Sequence, residues 1–220
     1  MEKNEIQNIS SQLSNNKKQQ RIDIHMEQSG GKGKQFGFIK NYEDHKRVAI
    51  CLPSDTNDDD GNDNTPDQIE LDFSCYNLFV ITDEKFMGKY FVVPKSRAIT
   101  ADKCTSKKLW PLAYLTEECI CTIKTFPAIF ASTNHLYAQT DERHSAFLGI
   151  VLDVCVKEEG IWVYFYKLRK FPQQILNEHA LEFAIQGTEF KNELDETSWS
   201  IKNINVIEAL NKNGYSIKLL

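Results

Sequence analysis

The side chains able to do chemistry in this chain are scattered rather than assembled. The five histidines are His25, His45, His135, His144 and His179, and no two stand at metal-ligand spacing from each other or from a carboxylate. His135 lies in a strand-like run beside Tyr137 and reads as a structural histidine, whereas His144 falls in a polar turn. The six cysteines, Cys51, Cys75, Cys104, Cys119, Cys121 and Cys155, contain no C-x-x-C pair. Cys119-x-Cys121 alternates to one face of an expected strand and lacks partners at zinc spacing. No G-x-S-x-G marks a nucleophile elbow. Gly30-Gly31-Lys32-Gly33-Lys34 has the composition of a phosphate cradle, but it joins two expected strands and opens no helix, so it reads as a hairpin turn. Asp72 with Asp83-Glu84-Lys85 is the nearest approach to a metal nuclease, and the triplet falls in an expected turn, where ligands are not held rigidly. In the acidic loop 53–67, Asp58 and Asp60 meet calcium-ligand spacing when Gly61 takes the sharp-turn position. Thr56 and Asp67 replace the first acid and the last glutamate of that pattern, and a solvated loop is the plainer reading. No metal and no cofactor is expected.

Aromatic side chains carry the stronger signal. Residues 147–167 read as one hairpin: F-L-G-I-V-L-D-V-C-V, the turn K-E-E-G, then I-W-V-Y-F-Y-K. Side chains alternate along a strand, so Ile161, Val163 and Phe165 share one face and Trp162, Tyr164 and Tyr166 the other. A strand with no polar face is covered on both sides or uses one face to hold something. Trp162, Tyr164 and Tyr166, with Tyr137 and Trp199, are therefore the candidate binding residues, since Trp and Tyr concentrate at interface hot spots. The competing reading is a second layer of core under a helix at 172–184. An alternative nucleic-acid surface would use Lys32, Lys34, Phe36 and Phe38.

The elements that position these residues are short. Alternating or apolar runs predict strands near 21–28, 35–40, 47–52, 69–73, 77–82, 89–94 and 126–131, before the central hairpin. The turn D-E-K-F-M-G predicts a hairpin between the runs at 77–82 and 89–94. Runs at 109–115 and 119–123 are short and apolar. Two late helices follow, at 172–184, ended by Gly187, and at 205–213, where Asn205 caps, Glu208 completes a capping box and Gly214 closes. Residues 216–220 read as a last strand. The expected fold is α+β and mostly β, with short-stranded sheets or small barrels, the C-terminal half having the rhythm of a Tudor or SH3-like barrel. The expected organisation is a disordered arm at 1–20, a β-rich domain at 21–110, and a small barrel with helices at 111–220.

Composition narrows the function. The chain has 220 residues, 41% apolar and 26% charged, with a net charge of −5. That balance disfavours a generic phosphate-binding role, because non-specific nucleic-acid affinity comes from Lys and Arg. No apolar run approaches the roughly 20 residues of a membrane span. The polar start M-E-K-N-E-I-Q-N does not read as a signal peptide, and free thiols in a reducing cytoplasm are expected.

Several stretches resemble known families. F-P-A-I-F-A (126–131), H-L-Y-A-Q-T (135–140), L-G-I-V-L-D-V (148–154), F-P-Q-Q-I-L-N-E (171–178) and N-E-L-D-E-T-S-W-S-I-K-N-I-N-V-I-E-A-L (192–210) resemble an uncharacterised bacterial module associated with abortive-infection and anti-phage loci. In that module the Glu-Leu motif runs on to a His-Trp pair, where this chain has Ser198 before Trp199. G-K-Q-F-G-F-I-K (33–40) and G-K-Y-F-V-V-P-K-S (88–96) are similar to two strands of the MepB family, without that family's Gly-Lys-Arg and Tyr-Pro-Pro-Trp ending. Phe36-Gly37-Phe38-Ile39 also resembles the cold-shock nucleic-acid strand, although Val48-Ala49-Ile50-Cys51 brings no further aromatics. The resemblance and the missing catalytic sets imply a non-enzymatic, cytoplasmic binding or adaptor protein, as the recognition or accessory subunit of a bacterial anti-phage system. A protein partner is expected, and no membrane. The alternatives are a nucleic-acid binder and a divergent metal-dependent nuclease using Asp72, Glu84 and Lys85.

Overall fold

The computed structural model describes residues 20–24, 36–40, 47–51, 68–141, 143–188 and 190–215, the first three ranges and 68–69 as backbone alone. The chain divides into two units between Gln68 and Ile69. In the first, β1 (Gln20–Ile24), β2 (Phe36–Lys40) and β3 (Arg47–Cys51) pair antiparallel in chain order. Phe38 stands opposite both Ile22 and Ile50. The glycine turn with Lys32 and Lys34, the acidic loop 53–67, the arm at 1–19 and the run 216–220 lie outside the described residues.

β4 (Gln68–Asp72) falls at the division, and one six-stranded sheet organises the second unit. Its strands are β5 (Tyr76–Ile81), β6 (Tyr90–Val93), β7 (Pro127–Ser132), β8 (Ser145–Val156), β9 (Ile161–Pro172) and β10 (Ser198–Lys202), in the order β10-β5-β7-β8-β9-β6. The fold is mostly β, of the α+β class. The central hairpin forms as its sequence predicts, with β8 and β9 each 12 residues long and Val156 opposite Ile161. Every pairing in the sheet is antiparallel except β5 with β7. A parallel neighbour requires a long crossover. That is why β5 and β6 do not form the expected hairpin: β6 is carried to the far edge, against β9. The expected boundary between 110 and 111 falls inside this sheet, because β5 and β6 before it pair with β7, β9 and β10 after it. The C-terminal half is therefore not a self-contained Tudor or SH3-like barrel.

The run around Cys119 and Cys121 is a helix rather than a strand. α1 (Glu117–Thr125) starts at Thr116, whose hydroxyl accepts from Cys119 N–H at 3.3 Å, and has Glu117 and Glu118 in its first turn and Lys124 in its last. These are the capping and dipole preferences of a helix, and they outweigh an apolar alternation only three residues long. Residues 107–114 form a 3-10 helix. The expected helix 172–184 is reduced to α2 (Gln174–Glu178) followed by turns. Gln173 is buried there, its side chain bonding both the N–H and the carbonyl of Ser132. Gly187 bridges Asn192 instead of ending a helix. α3 (Val206–Lys212) forms as predicted, with Asn205 Oδ1 accepting from Ile207 and Glu208 N–H and Tyr215 N–H closing back onto Leu210, but Glu208 Oε1 accepts from the Asn205 side-chain amide at 3.2 Å and does not complete the expected capping box.

The sheet has two working faces. On one, Phe79, Phe91, Phe130, Phe165 and Trp199 pack with Phe86 and with Ile123 of α1 into an aromatic core. Gly149 permits this packing: a Cβ there would lie 2.1 Å from Tyr166 O and 2.8 Å from Phe130 Cε2. On the other face, at the β10–β5–β7 end, Tyr76 is buried with its hydroxyl donating to Phe183 O at 2.6 Å. Leu176, Phe183, Leu194 and Leu210, from α2, the turns after it and α3, are buried as well.

Candidate binding face

Among the described residues, the second face is only partly covered at the β9–β6 end. Trp162, Tyr164 and Tyr166 point there from β9 and are half-buried rather than covered by the 172–184 segment. β6 lies antiparallel beside them, with Tyr90 opposite Tyr164 and Val92 opposite Trp162. The diagonal pair is the closest: the Tyr90 ring stacks on Trp162 at 4.2 Å between centroids and 14° between planes, within reach of diagonal neighbours in a sheet. Tyr90 also meets Tyr164 at 5.5 Å and 50°. Lys157, at the end of the hairpin turn, sets its Nζ 3.3 Å from the Trp162 ring centroid. The indole N–H of Trp162 is shielded from solvent and has no acceptor among the described residues.

The turn geometry brings Lys157 to this place. Lys157 N–H donates to Gly160 O at 2.9 Å, which closes a tight turn over Glu158 and Glu159. Gly160 lies so close to β6 that a Cβ would meet Val92 Cγ1 at 2.6 Å. Across the hairpin, Cys155 stands opposite Trp162 and Asp153 opposite Tyr164. Asp153 and Lys124 approach to 3.6 Å, and the exposed Glu158 and Glu159 have no salt-bridge partner among the described residues.

Tyr90 was not singled out in the sequence, although the alternation in K-Y-F-V-V-P places it and Val92 on one face. Two residues expected at this face are elsewhere. Trp199 is 0% exposed in the aromatic core, its ring 4.9 Å from Phe79 and its N–H donating to Asn77 Oδ1 at 3.2 Å. Full burial removes it from any docking surface. Tyr137 is 73% exposed, in a tight turn bridged by Leu136 and Gln139. That turn follows β7 at the end of the sheet where β8 begins, about 30 Å of strand from Trp162 at 3.3 Å per residue. Asp195 holds it, accepting from Ala138 N–H and from Asn134 Nδ2, both at 2.7 Å. Phe171, a further aromatic candidate, is buried 6.1 Å from the Tyr215 ring. For the nucleic-acid alternative, Phe36 and Phe38 occupy alternate positions of β2, opposite Ile24 and Ile22.

The nuclease set does not assemble. Asp72 Oδ1 accepts from Ser74 N–H at 2.8 Å and Glu84 Oε1 from Phe86 N–H at 2.6 Å, so both carboxylates cap their own turns. Among the described residues no three His, Cys, Asp or Glu side chains lie together as a metal site. Cys75, Cys104, Cys119, Cys121 and Cys155 are free thiols, and burial raises the pKa of Cys75 and Cys104.

A buried polar cluster lies at the β10 edge of the sheet. Lys202 Nζ lies 2.6 Å from Glu193 Oε2 and 2.6 Å from Lys103 O. Ser200 Oγ donates to Glu193 Oε1 at 2.9 Å and Gln186 N–H to Oε2 at 2.7 Å. Both charged side chains are within the interior. Burial lowers the pKa of Lys202 against the pull of Glu193, and burial with the charge of Glu193 holds Tyr76 well above its usual value. The signal was present in S-W-S-I-K, where Ser198, Ser200 and Lys202 alternate with Trp199 and Ile201. Read alone, that polar face looks like solvent.

Comparison with protein-family models, with curated proteins and with solved structures finds no match for this chain. The resemblances to the anti-phage module and to MepB therefore have no support from those comparisons. No helix among the described residues is long and apolar enough to cross a membrane.

Proposed function

We propose that this chain is a non-enzymatic β-rich binding or adaptor module that docks a protein partner on the Tyr90–Trp162–Tyr164 face. One observation carries the reading: an aromatic stack stands at the open end of a rigid sheet, where Tyr90 is 42% exposed. Rigid aromatic rings on a preformed surface give binding energy at small entropic cost. The likeness of the C-terminal motifs to the anti-phage module favours a cytoplasmic recognition or accessory subunit of a bacterial defence system. Capture from the native host tests this, using tagged wild type beside a Tyr90→Ala/Tyr164→Ser variant. A stoichiometric protein that the variant loses is the expected result. Nucleic acid that co-purifies and is released by salt would overturn the reading in favour of a nucleic-acid binder. Hydrolysis of nucleic acid by the purified chain alone, lost on Asp72→Ala, would overturn it in favour of the nuclease.

A further inference from the structure

We infer that the Tyr90–Trp162 stack receives a basic side chain of a cationic peptide, and that Lys157 is its intramolecular stand-in. This rests on the binding face proposed above and names the chemistry of its partner. Three observations support it. First, the indole ring already holds a cation, the Lys157 ammonium 3.3 Å from its centroid, while its other side is stacked on Tyr90. Aromatic faces attract guanidinium and ammonium groups through the ring quadrupole. Second, the acids bordering the stack are exposed. Glu158 and Glu159 have no ion-pair partner among the described residues, and the half-exposed Asp153 carboxylate has Lys124 at 3.6 Å and accepts from Cys155 Sγ at 3.6 Å. A cationic ligand complements them, whereas a nucleic-acid phosphate does not. Third, the Trp162 N–H is buried without an acceptor among the described residues, a donor that a ligand carbonyl would satisfy.

The probe is a short fluorescein-labelled peptide of alternating arginine and valine, titrated by anisotropy into the full chain. The same peptide with glutamate for arginine, and a labelled oligothymidylate, are the comparisons. The arginine peptide is expected to bind and the other two to fail. Lys157→Gln should tighten it about threefold by freeing the ring, and Tyr90→Ala should weaken it at least about tenfold. Lys89→Gln, which removes the same charge without freeing the Trp162 ring, should leave it unchanged. Equal binding of the arginine and glutamate peptides, preference for the oligothymidylate, or indifference to Tyr90→Ala overturns the inference. If the arginine peptide fails while Tyr90→Ala/Tyr164→Ser still loses the host partner, the cationic ligand is wrong and the docking face stands. If the peptide fails and the variant keeps its partner, both fall.

Discussion

Removing the ammonium of Lys202 should cost this protein much of its stability, and removing its carboxylate partner at the same time should restore part of it. Lys202 is 0% exposed and Glu193 is 5% exposed, and their closest atoms are 2.6 Å apart. In Lys202→Met the Glu193 carboxylate keeps the N–H of Gln186 and the hydroxyl of Ser200, but its charge has no counter-ion. Breaking a buried pair from one side costs about 3–5 kcal/mol. A domain has only about 5–15 kcal/mol in all. Taking a urea m-value of about 2 kcal/mol/M, a loss of about 4 kcal/mol moves the unfolding midpoint down by about 2 M. Glu193→Leu alone should cost a similar amount, since it leaves the ammonium with the Lys103 carbonyl only. In the double variant no charge is buried. The remaining penalty comes from the orphaned Gln186 N–H, Ser200 hydroxyl and Lys103 carbonyl, each costing about 1–3 kcal/mol if water does not reach it. The double variant should therefore lie well above the sum of the singles, with a coupling energy of about 3 kcal/mol. Urea unfolding of the four proteins, followed by tryptophan fluorescence, measures this directly. Additive single effects would refute the reasoning, because they would mean that the two charges do not depend on each other.

Three further outcomes follow from the same geometry. Gly149→Ala drives a methyl into Tyr166 O and the Phe130 ring, and should cost about 3 kcal/mol, lowering Tm by roughly 6–12 °C. Asn77→Leu leaves the Trp199 N–H without an acceptor and the Ile123 carbonyl without its side-chain donor, and should cost about 2–4 kcal/mol in the same urea assay. Tyr76 has a raised pKa because burial, and then the charge of Glu193, disfavour the phenolate. A raised folded-state value makes its contribution fully present below pH 10.0, the unfolded value, and lost as pH rises above it. The stability gap between wild type and Tyr76→Phe, which forgoes the hydrogen bond to Phe183 O, should thus narrow above pH 10.0 and stay constant below it.

The sequence by itself determined the local elements whose signals are short-ranged. The 147–167 hairpin was legible because β-branched and aromatic runs flank a glycine turn, and both predicted faces of β9 are real. The helix at 205–213 was legible because Asn205 at its start and Gly214 past its end are capping chemistry acting within one turn. The binding face was half legible: alternation grouped Trp162, Tyr164 and Tyr166, but nothing local joined Tyr90 to them. Only the tertiary structure decided that β6 leaves β5 and pairs with β9, since strand partners are chosen by burial across long sequence separations. The pairing of β10 with β5 placed Trp199 in the core, while the turn after β7 kept Tyr137 at the far end of the sheet. It also decided the fate of the polar face of β10, where Lys202 is buried only because Glu193 arrives from a separate turn to meet it. A side chain's environment is set by what folds against it, and periodicity records only which way it points.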